Sequence, residues 1–189
     1  MITVVHPKDR STVVLKVLYE GLETNLLDES MTNREIRHGL HHADIFESLM
    51  ILGHGADNGL LSRVDDTQKE FDRNLVGKHH LFYLRKQHRL IGIWCYAHLF
   101  AQTHRLTGLF TGMFISEMSE AEKNGVRTTE EEIQTELVKF VKRLRQLLDT
   151  NMHLSEIVKR LKNMDDAHTP LTEFNYHSIY YINQGIIES

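Results

Sequence analysis

Short apolar runs separated by amphipathic helical segments are the pattern that most constrains the fold of this chain. Residues 48–52 read Ser-Leu-Met-Ile-Leu, and residues 90–95 read Leu-Ile-Gly-Ile-Trp-Cys. Runs of this length and apolarity are typical of strands that are buried on both faces of a parallel sheet. Less regular runs occupy residues 2–6 and 109–115. Strands that alternate with helices predict an α/β fold, and we expect a three-layer αβα sandwich around a mostly parallel central sheet.

Two capping patterns predict where helices begin. Thr32 is followed by Glu35, and Thr129 is followed by Glu132. This Thr-x-x-Glu spacing is the capping box, in which each side chain can bond the backbone N–H of the other residue. From residue 130 onward, apolar residues recur every three or four positions, which predicts one long helix.

Two other segments carry weaker patterns. Residues 75–87 alternate apolar and basic side chains at helical spacing, and we expect a helix there. Residues 174–182 are rich in aromatic and β-branched side chains, which favour a final strand. At 189 residues the chain predicts one domain, with its core at about residues 1–120 and C-terminal helices and a tail at about 128–189.

Composition excludes several classes of protein. The hydrophobic share of 41% and the charged share of 25% are ordinary for a globular protein. No apolar stretch approaches the roughly 20 residues of a membrane span, and the first residues lack the basic start of a signal peptide. A single cysteine excludes an internal disulfide. We therefore expect a cytoplasmic protein with no membrane association.

The sequence gives no support for the binding of nucleic acid, a nucleotide cofactor or a metal ion. The basic cluster at residues 139–145 follows an acidic one at residues 130–136, which a helix dipole explains without nucleic acid. No glycine-rich phosphate loop follows a strand, so we expect no nucleotide cofactor. His38 and His42 are four residues apart with His41 beside them, but a third ligand is lacking, so we expect no metal site.

Each of the two most apolar strands ends in a residue capable of covalent chemistry. His54 follows the first strand, and Cys95, the only cysteine, ends the second. Functional groups collect at the carboxyl ends of strands in parallel sheets. If the strands are neighbours, His54 and Cys95 emerge side by side, as a thiol nucleophile and its base require.

These residues also carry a family resemblance. Residues 50–61, Met-Ile-Leu-Gly-His-Gly-Ala-Asp-Asn-Gly-Leu-Leu, resemble the histidine segment of caspases and other clan CD cysteine peptidases, where an apolar strand ends in His-Gly and a later one ends in the catalytic Cys. The resemblance implies a caspase-like fold, a His54/Cys95 dyad and a backbone oxyanion donor at Gly55. Trp94 and Tyr96 stand where a caspase has Ala and Arg or a similar residue, so we expect a divergent member rather than a true caspase.

The function predicted is that of a cysteine peptidase or related amide hydrolase acting on a peptide or protein substrate. Cys95 forms the thioacyl intermediate and His54 is the general acid and base. Trp94 and Asp57 are candidates for the substrate pocket, and carboxylates at residues 65–66 are further candidates for binding a basic side chain.

Two alternatives from other classes stay open. One is a catalytically inactive caspase-like module that binds a partner through the long helix or the aromatic tail. The other is a histidine-based metal hydrolase. The sequence also leaves open a homo-oligomer or a regulatory protein partner.

Overall fold

The computed structural model describes residues 1–63 and 70–188, which contain two β-sheets and surrounding helices. The strands in chain order are β1 (Ile2–Val5), β2 (Thr24–Leu27), β3 (Ser48–Leu52), β4 (Gly55–Ala56), β5 (Gly59–Ser62), β6 (Arg73–Gly77), β7 (Arg89–Ile93), β8 (Gly108–Thr111), β9 (Ile179–Asn183) and β10 (Ile186–Glu188).

The larger sheet has seven strands in the order β2-β1-β3-β7-β8-β9-β10. The five strands from β2 to β8 run parallel, whereas β9 is antiparallel to β8, and β10 is antiparallel to β9. The mostly parallel α/β fold predicted from the sequence is confirmed. Strands β4, β5 and β6 form a separate antiparallel sheet beyond the end of β3.

Helices connect most of the strands. They are α1 (Asn33–His41), α2 (Leu81–Leu84), α3 (Ala97–Thr103), α4 (Met118–Lys123), α5 (Glu130–Leu148), α6 (Leu154–Lys162) and α7 (Pro170–His177), with 3₁₀ helices at Val13–Leu18 and Lys78–His80.

The two predicted capping boxes have different outcomes. Thr32 Oγ1 accepts a hydrogen bond from the Glu35 N–H, and the Glu35 carboxylate accepts one from the Thr32 N–H, which completes the box. Thr129 Oγ1 accepts from the Glu132 N–H, but the Glu132 carboxylate accepts from the Thr128 hydroxyl instead. The long helix α5 therefore begins with half of the box, where the sequence predicts its start.

The strand side chains of the large sheet divide between two apolar clusters. In β3, Met50 and Leu52 belong to the cluster that includes residues of α5, α6 and the 3₁₀ helix Val13–Leu18. Leu49 and Ile51 belong to the cluster that includes residues of α1 and α3. Because successive strand residues point to opposite faces, β3 is buried on both, as its unbroken apolar run predicts.

The prediction of a helix at residues 75–87 is wrong for residues 75–77. Arg73–Gly77 is strand β6, which pairs with β5, and Leu75 and Val76 are both buried. Pairing with a neighbouring strand buries these side chains, so tertiary contacts override the local helical spacing. Only the short helices from Lys78 to Leu84 follow.

The strand predicted at residues 174–182 begins later than expected. Helix α7 extends through His177, with Thr169 as its N-cap and Pro170 in its first turn. Proline is well tolerated at this position because its N–H is not needed there. The β-branched and aromatic residues from Ile179 onward do form β9, which extends the large sheet beyond β8.

Candidate active site

Strands β3 and β7 bring His54 and Cys95 to the same edge of the sheet. They are parallel neighbours in which Leu52 pairs with Ile93, so His54 and Cys95 each lie two residues beyond a paired position. Gly53 has a φ of +140°, and its N–H donates to the Ile93 carbonyl at 3.0 Å. A glycine is needed at this turn because side-chain-bearing residues rarely adopt that conformation.

His54 and Cys95 line one small cavity. Its volume is about 40 Å³, and its apolar wall includes residues of α5 such as Phe140 and Leu144. A cavity of about 150 Å³ is known to hold benzene, so this one has room for a few water molecules and not for an amino-acid side chain of that size. A molecule of that size therefore has to widen the cavity before it reaches the thiol.

The His54 ring is held by the loop that follows β1. Its Nε2 lies 2.6 Å from Ser11 Oγ and 3.4 Å from Asp9 Oδ1. The Ser11 hydroxyl donates its proton to Asp9 Oδ1 at 2.7 Å, so Ser11 Oγ accepts from a proton on Nε2. In neutral imidazole this leaves Nδ1 as the proton acceptor, as a general base requires.

Asp9 is an ionised anchor for this arrangement. It is only 6% exposed, and its Oδ2 accepts hydrogen bonds from two guanidinium nitrogens of Arg63. Burial acts to raise the pKa of Asp9, but hydrogen bonds from Ser11 and Arg63, with the nearby His54, outweigh it and lower the pKa below its usual value. A carboxylate at this distance stabilises a positive charge on His54.

Cys95 lies at the turn from β7 into α3, and its thiol is not activated in this state. Sγ donates to Glu120 Oε1 at 3.8 Å. Burial, and then the negative charge of Glu120, raise the pKa of Cys95 to about 12. In residues 1–63 and 70–188, no hydrogen bond joins Cys95 to His54. The thiol is therefore protonated at neutral pH and is a weak nucleophile.

Gly55 and Trp94 are tied together by packing. Trp94 is 2% exposed, and its indole N–H donates to the Ala56 carbonyl at 3.0 Å. A Cβ on Gly55 would lie 2.1 Å from Trp94 Cδ1, so the indole ring leaves room only for glycine. Trp94 also lines the cavity. Packing against Trp94 is therefore enough to explain a glycine at position 55, which the resemblance implies is an oxyanion donor.

Of the acidic pocket candidates, the structure describes only Asp57, and it does not line the cavity. Asp57 is exposed at the turn between β4 and β5. Asp65 and Asp66 lie outside the described residues.

The structure adds residues to the site that sequence reasoning does not place there. Asp9 and Ser11 follow the end of β1, an interior strand of the parallel sheet, so their position at its carboxyl edge is a signal that could have found them. Glu120 has no such signal, because nothing local distinguishes it from Glu117 and Glu122.

The structure also gives observations on metal ligands and on membrane-spanning helices. Among the described residues, no group of three or more His, Cys, Asp and Glu side chains could hold a metal ion. The His38 and His42 rings do lie close, with centroids 4.2 Å apart. No helix in residues 1–63 and 70–188 has the length and apolarity to cross a membrane.

No protein-family model matches the chain, and no curated protein matches it.

Proposed function

We propose that this chain is a caspase-like cysteine hydrolase that cleaves amide bonds in peptide or protein substrates, built as a three-layer αβα sandwich. The observation that carries the proposal is that His54 and Cys95 line one cavity at the carboxyl ends of adjacent parallel strands. The strand order adds support. The chain moves from β1 to β2 on one side and then to β3 on the other, and ligands of open α/β sheets bind at such a reversal.

In the proposed reaction the Cys95 thiol first transfers its proton to His54. The thiolate attacks the substrate carbonyl carbon, and a C–S bond forms as the carbonyl oxygen becomes negatively charged. The C–N bond then breaks, and His54 donates the proton to the leaving amine. Water, deprotonated by His54, attacks the thioester; the C–S bond breaks, and the product acid and the free thiol result.

The Gly55 N–H is the proposed donor to the oxyanion. The Leu61 N–H donates to the His54 carbonyl, which makes Gly55 and Leu60 a non-hydrogen-bonded pair of the β4–β5 ladder. That ladder therefore leaves the Gly55 N–H unused. A donor fixed in advance costs little reorganisation when the negative charge develops.

Asp9 and Ser11 have a positioning role in this proposal. They hold Nε2 of the imidazole, and the Asp9 carboxylate stabilises the imidazolium that forms when the thiol loses its proton. Arg63 in turn keeps Asp9 ionised.

A second candidate function follows from the state of the thiol. A Cys95 pKa of about 12 and a cavity of about 40 Å³ are what a catalytically inactive caspase-like interaction module would also have. The two functions differ in whether His54 assists reactions at Cys95 when a substrate-like group is present.

Covalent labelling separates the two. The probe is a pool of peptidyl chloromethyl ketones that carries each amino acid next to the ketone, and intact mass spectrometry measures attachment to Cys95. We expect His54→Ala to slow labelling at least tenfold, since general acid–base groups contribute about a hundredfold or more. The matched control is His42→Ala, which removes an exposed histidine outside the cavity.

The hydrolase predicts that peptidyl ketones label Cys95 faster than an equal concentration of iodoacetamide, in a His54-dependent way. Labelling no faster than that of iodoacetamide, and equal in wild type and His54→Ala, would instead identify the inactive module.

A further inference from the structure

Glu120 makes a contact with the Cys95 thiol that the proposed reaction does not use. One of its carboxylate oxygens, Oε2, accepts from the Ser116 N–H at 2.7 Å and from the Ser116 hydroxyl at 2.9 Å. The other, Oε1, accepts the thiol proton at 3.8 Å. Ser116 therefore fixes the carboxylate so that its remaining oxygen faces Cys95.

This contact opposes catalysis. A carboxylate beside a thiol disfavours the thiolate, because both carry negative charge, and its hydrogen bond stabilises the protonated form. Glu117, at the start of the same segment, acts on Cys95 in the same direction but more weakly. His54, which lines the same cavity, is the group that the reaction needs as the thiol's proton acceptor.

The segment that carries Glu120 lies between two cavities. Ser116 lines the small cavity on its inner side. On its outer side, Ser116, Glu117 and Met118 face a groove of about 800 Å³ between α5 and the loop that follows β1. An outward shift of this segment would widen the cavity and separate Glu120 from the thiol in one movement.

We propose that residues 116–120 form an autoinhibitory contact in which Glu120, anchored by Ser116, holds the Cys95 thiol protonated until the segment is displaced. The inference rests on the proposed function, since it describes the regulation of the same site. It makes Glu120 a residue that restrains the reaction, whereas His54 and Asp9 promote it.

The test is the rate of Cys95 alkylation by iodoacetamide between pH 6 and 11, measured by mass spectrometry. In this reaction an S–C bond forms, iodide leaves and the thiol proton passes to solvent. Glu120→Gln removes the charge but keeps an oxygen that can accept from Ser116. We expect its thiol pKa to fall and its rate at neutral pH to rise.

The size of the increase can be bounded. Each unit of pKa lost raises the thiolate fraction about tenfold and lowers its nucleophilicity about threefold, so the net gain is roughly threefold per unit. Burial remains as the largest cause of the raised pKa, so the Glu120→Gln thiol should still titrate above a free cysteine.

Two further variants complete the test. Glu122→Gln changes an exposed carboxylate of the same helix that does not touch the thiol, and it should alkylate at the wild-type rate. Ser116→Ala removes one anchor of Glu120 and should alkylate faster than wild type. Wild-type rates and wild-type pH profiles in both Glu120→Gln and Ser116→Ala would overturn the autoinhibitory contact.

The outcome is independent of the hydrolase test. Faster alkylation of Glu120→Gln, with no His54-dependent labelling by the peptidyl ketones in either wild type or Glu120→Gln, would support Glu120 as the restraint and overturn the hydrolase. Strong His54-dependent labelling with no effect of Glu120→Gln would support the hydrolase and overturn the autoinhibitory contact.

Discussion

A Trp94→Ala substitution is expected to lower the free energy of unfolding by about 3–5 kcal/mol, the usual cost of removing a large buried aromatic side chain. Trp94 is 2% exposed and packs edge-on against Phe100, with ring centroids 5.9 Å apart. Its indole N–H also bonds the Ala56 carbonyl in β4. The substitution therefore leaves a cavity and removes a link between β7 and the hairpin that follows His54. Urea unfolding followed by circular dichroism measures the change.

Two variants make the Trp94 measurement specific. Phe46→Ala removes an aromatic ring that is 74% exposed, and we expect a change within about 0.5 kcal/mol. Trp94→Phe keeps most of the packing but loses the hydrogen bond, and we expect a loss of about 1 kcal/mol beyond the smaller ring volume. A Trp94→Ala protein as stable as Phe46→Ala would show that the indole does not bind the two elements together.

Acid is expected to destabilise the protein through His6. This residue lies at the end of β1, is 5% exposed, and contacts Tyr19 Oη through Nδ1 at 3.0 Å. Burial lowers its pKa from 6.5 to about 4. In the range between these values the unfolded chain binds a proton that the folded chain does not. The stabilisation is therefore complete above about pH 6.5 and is lost as the pH falls toward 4, by about 3 kcal/mol.

The measurement compares the pH dependence of unfolding in wild type and His6→Gln. Glutamine can still hydrogen bond Tyr19 but does not titrate, so the variant should lose about 3 kcal/mol less than wild type between pH 7 and pH 4. Burial also lowers the pKa of other histidines, which is why the difference between the two proteins is the informative quantity. Identical pH dependences would contradict a neutral, buried His6.

Several parts of the fold were accessible from the sequence because local pattern and tertiary environment agree. The apolar runs of β3 and β7 are buried on both faces of the sheet, and Thr32 and Thr129 both cap helices where predicted. Residues 73–77 could not be predicted in this way. Their spacing is also compatible with a helix, and only pairing with β5 makes them a strand.

Some residues of the candidate site could also be predicted from the sequence, and others could not. His54 and Cys95 could be found because each follows a recognisable strand, and the position of a strand end is fixed once the sheet is parallel. Asp9 and Ser11 could have been placed at the same edge, because they follow β1, but their contacts with His54 depend on how that loop folds. The contact of Glu120 in α4 with the thiol has no signal in the sequence. The pKa of Cys95 is the clearest case, because Glu120 reaches the thiol from 25 positions away.

The raised pKa of Cys95 means that the His54/Cys95 dyad is not ready to react as the structure has it. The sequence predicts a thiol that His54 activates. In the structure, the Cys95 thiol instead donates a hydrogen bond to Glu120, and His54 is hydrogen bonded to Ser11. A reactive arrangement requires the thiol to leave Glu120 and its proton to reach His54. Catalysis in this account is therefore coupled to a change at the segment that follows β8.

Cleavage of a proteome-derived peptide library, with new amino termini identified by mass spectrometry, tests whether Cys95 and His54 hydrolyse amide bonds. Wild type and Glu120→Gln are compared with Cys95→Ser and His54→Ala. A His54/Cys95 hydrolase restrained by Glu120 yields new termini in the Glu120→Gln sample, equal or fewer in wild type, and none above background in Cys95→Ser or His54→Ala. Absence of new termini from all four proteins, or their persistence in Cys95→Ser, would contradict it.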